Sequence, residues 1–370
     1  MSTNVSTRKI ALIVAGGTGG HIFPGLAVAH ALRGQDWDVH WLGGPASMES
    51  RIVPTQEFAF ESIAFGGVRG KGMAALLGMP WRLLKAIAQS RAVLQRVRPQ
   101  VVIGMGGYIT APAGLAAASL GIPLVLHEQN SVAGMANRWL KPFAKRVFTA
   151  YPDVLGATEQ AAENRDGKVQ WVGNPLRASF LQQPTPEERM QERTGALRLL
   201  VVGGSLGAQA LNETVPQALA LLQVEQRPLV MHQSGAKHIE ALQAAYQQAG
   251  VEAELTPFIE DTAQVFGIAD VVVCRAGAST VTELAAVGTA AVFVPFPYAV
   301  DDHQTSNARY LADAGAAWLQ PQPQFTPQWL AGLLQSVTRE ELLEKARKAK
   351  AMEKLHATEK MVAACEELSQ

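Results

Sequence analysis

Short, mostly apolar runs recur along the chain, and each is followed by a turn and then by a segment with helical periodicity. Runs of this kind that alternate with helices are typical of parallel strands in a sheet covered by helices on both faces. The pattern predicts strands at 10–15, 38–43, 101–104, 123–127, 145–149, 199–202, 228–233, 271–274 and 291–295. The predicted fold class is therefore α/β, with parallel sheets.

The arrangement that opens the chain has a counterpart in the second half. The strand at 10–15 runs into the glycines of 16–21, and the glycine-rich turn 203–208 follows a later strand in the same way. A chain of 370 residues is also too long for one ordinary core. We expect two similarly built domains and a terminal helical segment, at 8–176, 177–350 and 351–370.

The first glycine turn, 16–21, lies between a strand's carboxyl end and a predicted helix that starts near Phe23. Backbone N–H groups and the helix dipole favour an anion there, and glycine lets a phosphate or sugar approach closely. The spacing excludes a dinucleotide-binding G-x-G-x-x-G turn, because Ile22 takes the place of the last glycine. The turn also lacks the P-loop pattern. We therefore expect an anion or sugar site that uses neither NAD nor FAD.

Other loops are expected at the same edge of each sheet, because ligands of parallel α/β sheets bind at the carboxyl ends of the strands. In the first half these loops are 104–108 and 127–130. In the second half, 275–284 follows a strand and enters a helix, with Glu283 about one turn from its start. Glu283 either accepts hydrogen bonds from a ribose diol or stabilises the helix start, and both interpretations stay open. The polar loop 301–307 binds sugar hydroxyls or is a solvated turn.

Composition indicates the cellular compartment. Cys274 and Cys365 form neither a C-x-x-C pair nor a metal-ligand spacing, which favours a reducing environment. The first residues lack the apolar core of a signal peptide, and no run approaches the roughly 18 apolar residues that span a bilayer. Asp36 and Asp38 lie at the entry to a strand, so we do not interpret them as a metal site. We expect a cytoplasmic protein whose membrane contact is peripheral.

Charge is unevenly distributed, although the chain is neutral overall. Residues 1–150 hold 15 Lys and Arg against 6 Asp and Glu, which indicates an oriented surface. Within 70–85, cations and large apolar residues mix without a helical period, which suits an interfacial patch on an anionic membrane. For 86–98, an ordinary amphipathic helix with a solvated basic face fits equally well. The predicted membrane patch comprises Arg69, Lys71, Leu76, Leu77, Trp81, Arg82 and Lys85.

Six motifs follow one another at 16–21, 104–108, 127–130, 173–177, 203–208 and 275–283. Together they resemble the peptidoglycan N-acetylglucosaminyltransferase family over nearly the whole chain. The resemblance is specific as a combination, although each motif is weak alone. It implies the GT-B fold, in which two Rossmann-like parallel-sheet domains face a cleft and the C-terminal helix returns to the first domain.

The resemblance also implies the reaction. The family transfers N-acetylglucosamine from UDP-N-acetylglucosamine to the C4 hydroxyl of N-acetylmuramic acid in lipid I, and so forms the β-1,4 linkage of lipid II for the cell wall. The reaction inverts the anomeric carbon, and no metal or other cofactor is expected. It implies a peripheral location on the cytoplasmic face of the bacterial inner membrane. The implied partners are an anionic lipid surface and other cell-wall synthesis proteins, but no nucleic acid.

The resemblance assigns site residues motif by motif. The acceptor and its pyrophosphate are expected at Gly16, Gly17, Gly106, Gly107, Tyr108 and Glu128. UDP-N-acetylglucosamine is expected at Thr18, Gly19, Gly20, Asn130, Arg177, Ser205, Ile259, Ala278, Ser279, Thr280, Val281, Thr282, Glu283 and Gln304. One departure from the family pattern is His303, which stands where the first of two adjacent glutamines is expected.

His21 is the candidate general base, because a neutral imidazole accepts a proton near pH 7. A single inverting displacement needs such a base for the acceptor hydroxyl, while helix amino ends and Arg177 stabilise the departing UDP. Alternatively, His21 only caps its helix or binds phosphate, and Glu128 is the reserve base. Two other functions stay open, a UDP-N-acetylglucosamine 2-epimerase and a UDP-sugar-binding scaffold without catalysis.

Overall fold

The computed structural model describes residues 8–66, 78–157, 167–204 and 207–370, and the chain divides into two compact units. Unit 1 contains Met1–Arg177 and Leu355–Gln370, and unit 2 contains Ala178–Lys354. Arg177 is therefore the last residue of unit 1 before the chain enters unit 2, whereas the sequence prediction assigns it to the second domain. Residues 351–354 likewise remain in unit 2 and not in the terminal segment.

Unit 1 is built on a parallel sheet of seven strands. These are β1 (Ile10–Val14), β2 (Asp38–Gly43), β3 (Ala59–Ser62), β4 (Val101–Gly104), β5 (Leu124–Glu128), β6 (Arg146–Thr149) and β7 (Val169–Trp171). Their order across the sheet is 3-2-1-4-5-6-7. β1 thus pairs with β2 on one side and β4 on the other, where the direction of strand addition reverses. Open α/β sheets bind ligands at the carboxyl ends of such strands.

Helices cover both faces of this sheet. They are α1 (Gly19–Arg33), α2 (Met48–Thr55), α3 (Met79–Val97), α4 (Thr110–Ser119) and α5 (Met135–Leu140). Alternate residues of β1 enter different cores: Ile13 joins the cluster of α1, and Leu12 joins the cluster of α3 and α4. The uninterrupted apolar run of β1 is explained by this burial on both faces.

Unit 2 repeats the design with six parallel strands. These are β8 (Arg198–Val202), β9 (Leu229–Gln233), β10 (Glu254–Thr256), β11 (Val271–Cys274), β12 (Ala290–Phe293) and β13 (Ala317–Leu319). Their order, 10-9-8-11-12-13, matches that of the first six strands of unit 1. The helices are α6 (Ala178–Leu181), α7 (Pro186–Met190), α8 (Gln209–Ala220), α9 (Ile239–Ala249), α10 (Thr262–Ile268), α11 (Ala278–Val287), α12 (His303–Ala312), α13 (Pro327–Ser336) and α14 (Arg339–Ala351).

The last helix, α15 (Ala357–Leu368), belongs to unit 1. Its buried residues Met361 and Cys365 lie in the same apolar cluster as Leu32 of α1. Glu366 also accepts a hydrogen bond from the indole N–H of Trp37. The predicted return of the C-terminal helix to the first domain is confirmed, as is the α/β class with two Rossmann-like parallel sheets.

All nine predicted strands are present, with ends within two residues of the prediction. The four strands that were not predicted, β3, β7, β10 and β13, are the edges of the two sheets. An edge strand pairs on one side only and needs no continuous apolar run. β3, for example, has no fully buried residue along its length. The pattern of apolar residues therefore predicts central strands better than edge strands.

The predicted start of α1 was wrong. The helix begins at Gly19 and not near Phe23, so that Gly19, Gly20 and His21 form its first turn. Thr18 is the residue before the helix and has extended backbone angles, φ −141° and ψ 157°. The glycines therefore do not all form a loop, and two of them present the N–H groups at a helix amino end.

Candidate active site

Two glycine loops of unit 1 lie in direct contact at the carboxyl ends of β1 and β4. A Cβ placed on Gly107 would come within 2.3 Å of the carbonyl oxygen of Gly16, so only glycine fits there. Gly17 and Gly106 have positive φ angles of 96° and 95°, which L side chains rarely adopt. The ring of Tyr108 lies beside Gly17. The structure thus brings together the turn 16–18 and the loop 106–108, as the topology predicts.

A buried carboxylate that the sequence analysis did not single out holds the first turn. Glu49, in the first turn of α2, is fully buried. Its Oε2 accepts a hydrogen bond from Gly17 N (3.2 Å), and its Oε1 accepts one from Gly44 N (3.0 Å). A side chain on Gly16 would collide with this carboxylate, because a Cβ there would lie 2.5 Å from Oε1. The N–H of Gly17 is therefore engaged by the protein itself, which leaves the first turn of α1 to face an anion.

Tyr108 is affected by the same carboxylate. Burial, and in second place the charge of Glu49, raises the pKa of the Tyr108 hydroxyl above its usual value of 10.0. The hydroxyl therefore stays protonated at neutral pH and can donate a hydrogen bond. Only the glycines that end β2 could have pointed to Glu49, since an isolated glutamate in a helix has no pattern of its own.

His21 lies on the first turn of α1, with its ring against the loop after β4. Its Nδ1 is 3.2 Å from Oγ1 of Thr18. A Cβ on Gly106 would lie 2.7 Å from Cδ2 and 3.0 Å from Nε2 of the ring. Arg177, at the end of unit 1, has its guanidinium 5.6 Å from the ring centre of Phe23, which is two residues further along α1. The candidate base and Arg177 are thus both associated with the start of α1.

His127 supports the loop after β5 as a neutral residue. It is fully buried, and burial lowers its pKa to about 4 although its hydrogen bond with Gly173 acts in the opposite direction. Nε2 donates to the carbonyl of Gly173 at 2.9 Å, and Nδ1 accepts from Nε2 of Gln129 at 3.1 Å. His127 therefore cross-links two loops at the ligand-binding edge of the sheet.

Glu128, the reserve base, is occupied by its own loop. It is 3% exposed, and its two oxygens accept hydrogen bonds from Asn130 N, Gly134 N and Asn137 Nδ2 at 2.8–3.0 Å. Both carboxylate oxygens are thus engaged by donors of the residues that follow β5. This geometry favours a structural role, in which Glu128 fixes the backbone that carries Asn130.

In unit 2, a neutral amide holds the turn after β8. Gln233, 2% exposed, accepts from Gly203 N through Oε1 (3.1 Å) and donates through Nε2 to the carbonyls of Gly204 (3.1 Å) and Pro257 (3.2 Å). Gly207, with φ 77°, passes so close to Ser234 that a Cβ would lie 2.0 Å from its carbonyl oxygen. Ser205 lies outside the described residues.

The amino end of α11 carries the sharpest motif of unit 2. The helix starts at Ala278 after Gly277, and its first turn contains Ser279 and Thr280. Val281 is fully buried, and the hydroxyl of Thr282 donates to the carbonyls of Ala278 and Ser279. These two side chains therefore hold the helix, and the backbone N–H groups of the first turn remain the groups that suit an anion. Glu283 follows one turn later and is partly exposed.

The loops after β10 and β12 complete the edge of the second sheet. Ile259 is 9% exposed, whereas the neighbouring Phe258 ring is 54% exposed. Gln304 accepts a hydrogen bond from Phe296 N at 2.9 Å and so holds the loop before α12. His303 uses Nδ1 in a contact of 2.7 Å with the carbonyl of Val300. The side chain at the departure from the family pattern is thus bound within its own loop.

The membrane patch is described only in part. Trp81 and Leu84 of α3 are 75% and 59% exposed, and Arg82 and Lys85 lie on the same helix. The other predicted members, Arg69, Lys71, Leu76 and Leu77, lie outside the described residues. None of the helices in the described ranges is both long and apolar enough to cross a bilayer.

A second exposed apolar group was missed by the sequence analysis. Met135 and Trp139 of α5 and the following Phe143 are each more than half exposed, with Arg138 and Lys141 between them. α3, α4 and α5 all pack on one face of the sheet, in one apolar cluster. Helix α5 has six residues, which is too short for a periodic pattern to be recognised.

Family models match both units of the chain. The model of the glycosyltransferase family 28 N-terminal domain matches residues 11–149, and that of the family 28 C-terminal domain matches residues 198–363. The first match covers β1 to β6 with the loops between them, and the second covers all six strands of unit 2.

Full-length relatives are also found. The UDP-N-acetylglucosamine–N-acetylmuramyl-(pentapeptide) pyrophosphoryl-undecaprenol N-acetylglucosamine transferase of Albidiferax ferrireducens is 63% identical over 367 residues, which cover 98% of this chain and 92% of the relative. The protein of the same name from Paracidovorax citrulli is 62% identical over 361 residues, covering 98% and 99%. The crystal structure of Acinetobacter baumannii MurG has 40% identity and a TM-score of 0.82, with 98% of this chain and 100% of that chain covered.

Proposed function

Since the chain belongs to glycosyltransferase family 28 and, within it, to the MurG transferases, we propose that it transfers N-acetylglucosamine from UDP-N-acetylglucosamine to the C4 hydroxyl of N-acetylmuramic acid in lipid I. The product is the β-1,4-linked disaccharide of lipid II, the precursor of peptidoglycan. The observation that carries the proposal is one ligand-binding topology present twice, with a glycine turn after the first strand of each sheet. Only the first turn runs directly into a histidine.

Unit 2 is the proposed main site of the UDP moiety. The first turn of α11 and the turn 203–208 offer N–H groups to the diphosphate, and Arg177 adds a positive charge. Glu283 accepts from the ribose hydroxyls, and the backbone of Ile259 meets the uracil. Gln304, Asn130 and the turn 18–20 contact the sugar that is transferred. Support for these roles comes from the position of each residue in a loop that follows a strand or in the first two turns of the helix after that loop.

The proposed chemistry is a single displacement at the anomeric carbon. His21 Nε2 takes the proton of the C4 hydroxyl while that oxygen forms a bond to the anomeric carbon. The bond from that carbon to the diphosphate breaks, and UDP leaves with the electron pair. A base of this kind is typically worth 10²- to 10⁴-fold in rate. Helix amino ends stabilise the negative charge on UDP, because their N–H groups are aligned before the reaction.

The acceptor is proposed to bind unit 1. Gly106, Gly107 and Tyr108 present the loop after β4, and Gly16 and Gly17 support it from beneath. The protonated Tyr108 hydroxyl serves as a donor to the acceptor's pyrophosphate. Because Glu49 already occupies Gly17 N–H, the pyrophosphate is assigned to the start of α1 and the loop 106–108.

The function is tested by product analysis. Purified protein is incubated with UDP-N-acetylglucosamine and a lipid I analogue, with and without a chelator, and we expect lipid II and UDP in equal amounts in both cases. Donor incubated alone should remain unchanged, and the appearance of an epimer would identify a 2-epimerase instead. Donor binding without any lipid II would identify a UDP-sugar-binding scaffold.

A peripheral position on the cytoplasmic face of the inner membrane is proposed for unit 1. It is supported by the exposed Trp81 and Leu84 of α3 beside Arg82 and Lys85, and by the exposed Trp139 of α5 on the same side of the sheet. Such a mixture of apolar and basic residues suits an anionic lipid surface. Contacts with other cell-wall synthesis proteins at this surface are part of the same proposal.

Neutralising two cations tests this position. Each basic residue near an anionic surface contributes on the order of 1 kcal/mol, so Arg82→Gln combined with Lys85→Gln should weaken vesicle binding about 30-fold at low salt and less at high salt. The control carries the same changes at Lys237 and Arg309, which are exposed in unit 2. Sedimentation with phosphatidylglycerol vesicles measures the effect, and equal binding of both variants would refute the proposed surface.

A further inference from the structure

Gln129 carries a buried acceptor atom, Oε1, that has no role in the proposed displacement reaction. Its side chain is 1% exposed, and within the described ranges of the chain no donor reaches its Oε1. A buried acceptor without a donor destabilises the folded state, so such atoms are rare unless they have a function. The other end of the amide is well bonded, since Nε2 donates to His127 Nδ1.

The orientation of this amide follows from its neighbour. His127 is buried and neutral, and its Nε2 faces the carbonyl of Gly173, which can only accept. Nε2 of His127 therefore carries the proton, and Nδ1 is an acceptor that requires an N–H donor. Gln129 must then turn its NH₂ group to His127 and its carbonyl oxygen away from it.

The carbonyl oxygen of Gln129 is directed at the loop that His21 covers. The position of a Cβ on Gly106 would lie 3.1 Å from Gln129 Oε1 and 3.0 Å from His21 Nε2. The amide oxygen and the imidazole edge thus both lie next to the position that a Cβ of Gly106 would occupy. A side chain is excluded there by this lack of space and by the φ angle of 95°. A side chain at position 106 would collide with both groups, so glycine is the residue that fits beside them.

We propose that Gln129 is a positioning residue for His21, which accepts a hydrogen bond from the imidazole once the ring is protonated. The proposal rests on the proposed function, in which His21 takes the proton of the acceptor hydroxyl. When the neutral ring has its proton on Nδ1, facing Thr18 Oγ1, Nε2 has only a lone pair and gives Gln129 no donor. After proton transfer the new N–H on Nε2 has an acceptor in Gln129 Oε1. The hydroxyl oxygen has by then become a glycosidic ether, which is a weaker acceptor.

Several titratable and charged groups lie on the described parts of the elements around this position. They are Glu49 below Gly17, Tyr108 in the loop after β4, His127 and Glu128 at the end of β5, and Arg177 beside Phe23. Glu49 and Glu128 are committed to backbone N–H groups, and His127 is neutral. Gln129 is thus the neighbouring buried acceptor to which an imidazolium proton can be given.

Two substitutions at position 129 test the proposal. Gln129→Leu removes the acceptor at similar volume, and Gln129→Glu replaces it by a charged acceptor. A hydrogen bond to a charged group is worth enough to change an equilibrium about 10- to 100-fold, so the leucine should lower the pKa of His21 by about one unit. The glutamate should raise it, because an opposite charge favours the imidazolium. NMR titration of the His21 ring in the ligand-free, full-length protein measures both shifts.

Kinetics give the second readout. With leucine, kcat should fall about 10- to 100-fold and the acidic limb of its pH profile should move to lower pH, because activity requires the neutral ring. With glutamate, that limb should move to higher pH. Gln170→Leu, a change of the same kind at a buried amide that donates to the Gly167 carbonyl, should leave the limb in place. Equal shifts in the Gln170 control, or no shift of the His21 pKa in either Gln129 variant, would overturn the inference.

The two proposals can fail separately. If the His21 pKa moves as expected but the protein makes no lipid II, the contact stands and the proposed function fails. If lipid II is made and the His21 pKa is unchanged by substitution at position 129, only the positioning role fails. If the leucine variant does not fold, the glutamate variant and its upward shift decide the question alone.

Discussion

The two glycine turns differ in the group that holds them, although each follows the first strand of a sheet with the same strand order. In unit 1, the carboxylate of Glu49 accepts from Gly17 N–H and links the turn to Gly44, at the end of the second strand. In unit 2, the neutral amide of Gln233 accepts from Gly203 N–H and links the turn to the second and third strands. A negative charge beneath one turn and a dipole beneath the other give the same backbone shape different affinities for an anion.

This difference supports the proposed division of labour between the two units. In unit 1 the carboxylate occupies Gly17 N–H, so the turn 16–18 is suited to present His21 at a fixed position, and an anion is left to the first turn of α1 and the loop 106–108. A turn held by a neutral amide has no carboxylate beneath it that would repel an anion bound to its remaining N–H groups. The same topology can therefore serve catalysis in one unit and nucleotide binding in the other.

The largest effect is expected from His21→Ala. If His21 accepts the proton of the acceptor hydroxyl, its loss should lower kcat at saturating acceptor about 10²- to 10⁴-fold, while the KM for UDP-N-acetylglucosamine stays nearly constant. Steady-state kinetics with both substrates varied provide the measurement. Full turnover at saturating acceptor would exclude His21 as the base, and a change confined to the acceptor KM would support the phosphate-binding alternative.

Acid should destabilise both units through one buried histidine in each. Burial lowers the pKa of His127 to about 4 and that of His232 to about 3, from an ordinary value of 6.5. Below pH 6.5 the unfolded chain binds protons that the folded chain does not, so stability falls as the pH decreases. The loss ends near pH 4 for His127 and near pH 3 for His232, and amounts to about 3 kcal/mol for His127 and about 5 kcal/mol for His232.

Urea unfolding at pH values from 7 to 4 measures this loss. His127→Asn and His232→Asn should each flatten the dependence on pH, although both are expected to lower stability at pH 7. An unchanged slope in both variants would show that neither histidine is neutral in the folded state. A smaller change for His127 than for His232 would agree with the order of the two pKa values.

Gln233→Glu places a carboxylate under the second turn and so makes it resemble the first. The donor Kd should rise about 10- to 100-fold, because a buried charge next to the proposed diphosphate site costs roughly 1.4–2.7 kcal/mol in binding. Gln247→Glu, on an exposed position of α9, makes the same chemical change away from the turn and should have no effect. Donor binding by isothermal titration is the measurement, and equal affinities for both variants would contradict the comparison.

Glu49→Gln is the converse change and should act mainly on stability. The amide offers one acceptor oxygen where two backbone N–H groups now meet a carboxylate, and the lost charge-assisted bond is worth about 1.5 kcal/mol. The free energy of unfolding should fall by that amount while donor affinity stays constant. Glu57→Gln, at an exposed position of the turn after α2, serves as the matched control. A Glu49 variant as stable as its control would mean that the carboxylate does not hold the turn.

The sequence predicts the centre of each sheet well, because central strands are apolar on both faces. β1 and β11 show this, as almost every residue in them is buried. The edge strands β3 and β10 follow no such rule, since half of their pairing groups face outward. The start of α1 was misplaced because two glycines, poor helix formers, form its first turn without any side-chain cap.

The sequence offers candidate site residues where glycine spacing and strand ends coincide, as at His21 and Glu283. The groups that hold these loops were not predictable from the pattern. Glu49 and Gln233 are polar residues that are buried where backbone N–H groups from other loops meet them, and Gln129 is buried against the side chain of His127. A single sequence shows that such a residue is polar but not which backbone groups it satisfies.

The return of α15 to unit 1 has a consequence for synthesis on the ribosome. Residues Ala357, Met361, Val362 and Cys365 supply part of the apolar cluster that contains α1, yet they leave the exit tunnel after the whole of unit 2. Unit 2 is continuous in the chain and has all of its residues before α15. The apolar surface of α1 therefore stays uncovered during the synthesis of unit 2, and it is buried only when α15 emerges.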